Sequence, residues 1–296
     1  FGDAKSSMYF VLAAAITNIV LDYIFISKFN MGVNGAALAT VISQALSFVL
    51  SVIYFRSKKH IVDFNPKDFC FDGAIASDII KIGLPSAFQQ AAINIACIAL
   101  NGIVNSFGIF ASAACGICSK FDSFAVLPCS AVNDAVAAIT SQNLGVDQKE
   151  RAINSISAGR RLIIPFNLML MVVMFFFGEK FASIFNSDPV VISMAHNYIR
   201  ISCFMYFFYA VYYPLMGFVK GTGNAMFTLK NTVMAQFVIR IPVAYICSKV
   251  LGFGFYGVAI AWIVAPIYSN TIYTIYLKSG KWYERLKNNQ KMGHSI

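Results

Sequence analysis

The sequence predicts an all-α integral membrane fold, a polytopic bundle of about eight spanning helices. Three observations carry that prediction. Charged residues are scarce, long apolar stretches recur along the whole chain, and lysines and arginines fall on alternate connections. Of the 296 residues, 58% are hydrophobic and 12% are charged. Soluble domains carry roughly 25% charged residues. A chain with this composition lacks the polar surface to cover a globule in water, and a lipid-facing surface resolves the shortfall.

Spanning helices need about 20 mostly apolar residues. Eight stretches fit, near 8–27, 35–55, 83–107, 112–143, 162–178, 191–219, 226–250 and 254–277. The fourth is polar enough to line an interior rather than to face lipid. Turns rich in Gly, Asn or Pro separate several of them, such as Phe29–Gly32, Asn186–Pro189 and Gly252–Gly254. The longest connection, 56–82, mixes Lys, Asp and aromatic residues. It reads as a cytoplasmic connector with an amphipathic helix at the interface.

Numbering the connections alternately places 17 Lys and Arg on the side of the N-terminus and 3 on the other, with Lys120, Arg200 and Arg240 inside spans. The positive-inside rule makes the first side cytoplasmic, and the C-terminus with it. A net charge of +10 therefore implies loop anchors that touch anionic lipid, and no nucleic-acid partner. Cys115 and Cys118 have the spacing of a metal or redox pair, but no second pair or nearby His completes a site. They read as two small apolar residues one helical turn apart, and neither a structural metal nor a cofactor is expected. His60, His196 and His294 are scattered, so no catalytic cluster argues for a membrane-embedded enzyme.

The chain repeats itself. Gly32-Val-Asn-Gly-Ala-Ala-Leu-Ala39 and Gly254-Phe-Tyr-Gly-Val-Ala-Ile-Ala261 share the pattern G-x-x-G-[AV]-A-[LI]-A, 222 positions apart. Gly2-Asp3 and Gly223-Asn224 precede them in parallel. Within its own copy the later pair follows four spans, the third to the sixth, and the earlier pair follows none, so equal halves predict four further spans ahead of Phe1. The halves keep one orientation, the parallel-repeat arrangement of some transporters.

Asn18-Ile-Val-Leu-Asp22-Tyr-Ile-Phe-Ile26 and Met31–Gln44 resemble the multidrug and toxic compound extrusion (MATE) family. So do Ile82-Gly-Leu-Pro-Ser86, Ser119–Phe124, Ser141–Gly145 and Lys220-Gly-Thr-Gly-Asn224, in register with the last eight of the family's twelve helices. The resemblance implies a two-lobed fold of parallel six-helix repeats whose first four helices are absent from this chain. Residues 1–55 then hold the last two helices of the N-terminal lobe, 56–82 the inter-lobe loop, 83–278 the six-helix C-terminal lobe and 279–296 a cytoplasmic tail. The implied function is antiport coupled to Na⁺ or H⁺, exporting drug-like, often cationic amphipaths from a central cavity in the plasma membrane. The protein is expected to be a monomer. A lipid-linked saccharide flippase of related architecture is the alternative, and its cationic cavity is not matched by three intramembrane Lys and Arg balanced by acids.

Asp22 is the leading candidate for ion coupling. An ionised carboxylate in the bilayer is costly, about 2.5–3.5 kcal/mol on insertion scales, so such residues usually face a cavity. Asn18 lies at i−4 on the same helix face, and the two offer oxygen ligands that suit a hard cation or a proton. In the family an Asn and Asp at this spacing and a Thr on the next helix help form the cation site, and that Thr falls at Thr40. The alternative is that Asp22 snorkels to the outer interface. Lys120, Asp122 and Asp134 in the fourth stretch read either as the polar wall of a second-lobe cavity or as packing pairs. Arg240, beside Pro242, reads as snorkelling or paired with an acid. The Phe204–Tyr213 aromatics with Met205 and Met216 read either as cavity lining or as lipid contact.

Overall fold

A computed structural model describes residues 4–57 and 72–283. Helix α1 (Ala4–Asp22) runs on as a π-helical segment, Tyr23–Lys28, and α2 spans Gly32–Ser57. Then come α3 (Gly73–Asn105), α4 (Ile109–Gly145), α5 (Lys149–Phe185), α6 (Pro189–Ser202) and α7 (Phe204–Gly221). Helix α8 (Ala225–Val233) continues through π-helical Met234–Arg240, α9 (Ile241–Tyr245) and π-helical Ile246–Val250. Helix α10 (Tyr256–Lys278) closes the bundle. Among the described residues seven helices are long and apolar enough to cross a membrane, and eight when α6 and α7 count as one bent span. The all-α polytopic bundle expected from composition is what the chain forms.

The chain divides into two compact units, Phe1–Gly73 and Ala74–Ile296. In the first, α1 and its π-helical end pack against α2. In the second, α4 is the central helix, packed on α5, α6 and α7, while α10 closes on α6, α7 and the α8–α9 segment. Lipid supplies little hydrophobic drive between helices, so close approach of backbones does the work. Gly159 lies against Val132 and Val136, and Gly217 lies on the backbone of Asn133. Some buried polar groups pair across helices, as Thr140 and Ser155 do at 3.1 Å. The Asn167 amide donates to the Tyr206 carbonyl at 2.8 Å. Large apolar side chains such as Leu162, Phe176 and Ile98 point outward.

Local chemistry explains the turns. Asp188 caps α6, its carboxylate accepting from the Val190 N–H at 2.8 Å, with Pro189 in the first turn. Asn224 caps α8 by accepting from the Phe227 N–H, and its amide donates to Tyr276 Oη at 2.7 Å. The two repeat motifs form matching turns. The Phe29 N–H bonds the Ile24 carbonyl and the Leu251 N–H bonds the Ile246 carbonyl; Met31 to Phe25 and Phe253 to Cys247 repeat the match. Gly32 and Gly254 adopt φ of +53° and +59°, left-handed values that disfavour a side chain. A Cβ at Gly35 would meet Phe25, and one at Gly257 would meet Cys247, again 222 positions on.

Several boundaries move. The fifth apolar stretch, expected at 162–178, belongs to a helix that begins at Lys149, because its first turns are charged and escape a hydropathy reading. The sixth stretch is bent by 42° at Cys203, between α6 and α7, whereas Pro214 lies inside α7. The connector expected at 56–82 is helical to Ser57 and again from Gly73, and 58–71 lie outside the described residues. So do Gly2-Asp3 and most of the tail expected at 279–296.

Candidate functional site

In the first unit the three residues expected to couple ions lie on the paired helices α1 and α2. Asn18 and Asp22 stand one turn apart on α1, both half-buried. The Asn18 amide donates to Thr40 Oγ1 at 3.5 Å, and the Thr40 hydroxyl donates back to the Ala36 carbonyl at 2.9 Å. Asp22 Oδ1 is buried and has no hydrogen-bond partner among the described residues. A buried carboxylate oxygen without a donor is an uncommon and costly state. One turn earlier on the same helix lies Asn18, whose amide reaches Thr40. The π-helical segment starts at the next residue, Tyr23, and such insertions occur often at functional sites.

Two cavities of the second unit are lined in part by α4. The larger, about 400 Å³, is lined by the N-terminal half of α4, including Asp122, with Asn101, Met205, Tyr209 and Trp262. The smaller, about 300 Å³, is lined by the C-terminal half of α4, including Asp134, with Gln89, Gln90, Met216 and Lys220. Ile93, Tyr212, Tyr213, Gln236 and Arg240 line both, so they form the partition. Helix α4 thus lines an interior, as its polarity indicated.

The three polar residues of α4 part company. Asp122 is half-buried and accepts from Tyr206 Oη at 2.9 Å. Asp134 faces the smaller cavity and accepts from Lys220 Nζ at 3.1 Å, so it is at once a wall residue and an interhelical pair. Lys120 lines neither cavity; it is exposed, with its ammonium 5.9 Å from the Phe185 ring. The aromatic run is divided as well. Met205, Tyr209, Tyr212 and Tyr213 face the larger cavity, whereas Phe204 points outward.

Arg240 does neither of the things expected of it. It does not snorkel, being 5% exposed, and the described residues give it no carboxylate partner. Its guanidinium donates to Gln236 Oε1 at 2.8 Å and to Tyr209 Oη at 3.4 Å, and lies 4.2 Å from the centre of the Trp262 ring. Cys115 and Cys118 are free, and among the described residues no cluster of His, Cys, Asp and Glu could hold a metal.

The MatE family model matches residues 85–246. Probable multidrug resistance protein YpnP of Bacillus subtilis (strain 168) is 28% identical over 281 residues, covering 95% of this chain and 62% of the relative. Probable multidrug resistance protein NorM of Thermotoga maritima is 27% identical over 291 residues, covering 96% and 62%. A solved multidrug resistance MATE family transporter of the MOP superfamily, in its outward-facing conformation, superposes with a TM-score of 0.87. At 22% identity, over 98% of this chain and 64% of that one, the superposition is a likeness of fold. The chain spans about 62% of the length of these two curated relatives.

Proposed function

Given that this chain belongs to the MatE family, we propose that it is the larger part of a cation-coupled exporter of amphipathic small molecules working by alternating access. The observation that carries the reading is the orphaned Asp22 carboxylate oxygen beside the Asn18–Thr40 pair. A carboxylate, an amide and a hydroxyl suit a hard monovalent cation or a proton, and binding either one relieves the unsatisfied oxygen. The relatives' names speak of multidrug resistance, and the aromatic and Met lining of the larger cavity suits varied apolar bodies.

In this reading 1–55 are the last two helices of an N-terminal lobe, 56–82 join the lobes, 83–278 form a six-helix C-terminal lobe and 279–296 are a tail. The 222-residue repeat supports that division, through the matched turns at Gly32 and Gly254. The 17-to-3 distribution of Lys and Arg supports a cytoplasmic side for both described ends of the chain. Lys149, at the start of α5, lies 4.2 Å from the Tyr283 ring, as two groups on one face of the membrane should. The transporter acts as a monomer in the plasma membrane.

The test is Asp22→Asn in the full-length protein, read as drug efflux from cells. The variant is expected to insert at wild-type levels and to lose gradient-driven efflux. Undiminished efflux refutes the role of Asp22.

A further inference from the structure

We propose that Arg240 is an anion-recognition site: a substrate with an aromatic or apolar body and one carboxylate binds in the larger cavity of the second unit, its carboxylate on the Arg240 guanidinium. The first observation is a buried cation that forms no ion pair among the described residues. Ionisable side chains at membrane depth are normally paired with an opposite charge or a backbone carbonyl. Arg240 is 5% exposed, yet its described acceptors are the side chains of Gln236 and Tyr209, both uncharged. A guanidinium has five N–H donors. Nε has no acceptor at all among the described residues. Asp122, a carboxylate lining the same cavity, is held by Tyr206 at 2.9 Å and forms no ion pair with Arg240.

The second observation is geometric. Trp262 lies under the guanidinium at 4.2 Å, and Gln236 and Tyr209 fix its plane. A planar fork held this way is pre-organised for two parallel bonds to a carboxylate, which an ammonium does not offer. The cavity beside it, about 400 Å³, falls in the size range of small-molecule sites, roughly 300–1,000 Å³. Its aromatic lining, Tyr209, Tyr212, Tyr213 and Trp262, supplies contact for a flat apolar body.

The third observation is the internal repeat. At the 222-residue offset fixed by the matching turns, Asn18 corresponds to Arg240 and Thr40 to Trp262. Asp22 corresponds to Ala244, which is fully buried. Where the first unit presents a carboxylate, an amide and a hydroxyl, the second presents a guanidinium stacked on an indole and no carboxylate. The two units are thus built at equivalent positions for charges of opposite sign, a cation in the first and an anion in the second.

Export of the bound carboxylate rests on the exporter reading, whereas its binding does not, so the test is equilibrium binding without a gradient. The full-length protein in nanodiscs is titrated with dansylglycine and with dansylglycinamide, which differ only in the carboxylate, and dansyl emission excited through tryptophan is followed. Wild type is expected to bind dansylglycine at least tenfold more tightly than the amide. Arg240→Gln is expected to erase that preference, and Arg240→Lys, which keeps charge but not the fork, to retain a fraction of it. Equal affinity of wild type for the two probes overturns the proposal and needs no variant to fold. So does the absence of dansylglycine binding to wild type, or a preference that survives in Arg240→Gln. Binding that behaves as expected while Asp22→Asn leaves efflux intact overturns the coupling role of Asp22 and leaves the anion site standing.

Discussion

Gly217 is the position where one added methyl group tests the packing of the second unit. Its Cα faces the backbone of Asn133 across the α4–α7 contact, and an alanine Cβ there would sit 3.0 Å from the Asn133 carbonyl carbon and closer still to its oxygen. Backbone cannot step aside as a side chain can, so α7 must back away from α4 by several tenths of an ångström or more. Asp134, the next residue, would be drawn off its 3.1 Å contact with Lys220 on α7. Overpacking of this kind costs about 1–3 kcal/mol. For a unit of this size each kcal/mol lowers the melting temperature by roughly 2–4 °C, so Gly217→Ala is expected to melt some ~2–12 °C lower. Gly116 on α4 is the control, because a Cβ there meets nothing within 4 Å. Gly116→Ala then keeps only the helix-propensity gain, about 0.5–1 kcal/mol, and is expected to melt at or slightly above wild type. Both are measured by thermal unfolding of the detergent-solubilised protein followed by tyrosine and tryptophan fluorescence. A Gly217→Ala protein as stable as Gly116→Ala would refute the close approach of α4 and α7 and with it the wall of the smaller cavity.

Tyr206→Phe removes the hydroxyl that donates to Asp122 at 2.9 Å and is expected to cost about 1–3 kcal/mol, whereas Asp122→Asn, which keeps an acceptor, costs less; equal melting temperatures for the two would contradict the pairing. Asp134 and Lys220 are 62% and 43% exposed, so a double-mutant cycle on their melting temperatures is expected to give a coupling no larger than ~1 kcal/mol, and a larger value would mean the pair is shielded from solvent. Asn167 is fully buried and bonded to the Tyr206 carbonyl; Asn167→Leu should lower stability by about 1–3 kcal/mol, and a stabilised variant would show that the bond is not made. Alanine at both Cys115 and Cys118 is expected to leave efflux and bound-metal content, measured by mass spectrometry, unchanged; lost efflux would revive the metal or redox reading of that pair.

The spans were legible because lipid demands long apolar helices, and each of the eight stretches lies on one helix or on a bent run of helices. What hydropathy missed was polar. The first turns of α5 carry Lys149, Glu150 and Arg151, and they extend the helix beyond the apolar stretch. The bend at Cys203 left no signal in the sequence, and the one proline of α7, Pro214, is accommodated inside that helix. The proximity of Asn18 and Thr40 followed from resemblance alone, because a contact between two helices is not written in the periodicity of either. Arg240 was visible as a charge in a span, but its surroundings were not. Gln236 is local, one turn away, while Tyr209 and Trp262 arrive from α7 and α10. The repeat held the missing clue, since adding its offset to Asn18 and Thr40 lands on Arg240 and Trp262.

Coupling through Asp22 is tested most directly by substrate flux in proteoliposomes of the full-length protein, with Na⁺ and H⁺ gradients imposed separately. Wild type is expected to respond to at least one of the two gradients, and Asp22→Asn to neither, with substrate equilibrating only passively. Asp22→Asn vesicles that still concentrate substrate against its gradient, driven by the same ion as wild type, would contradict the account.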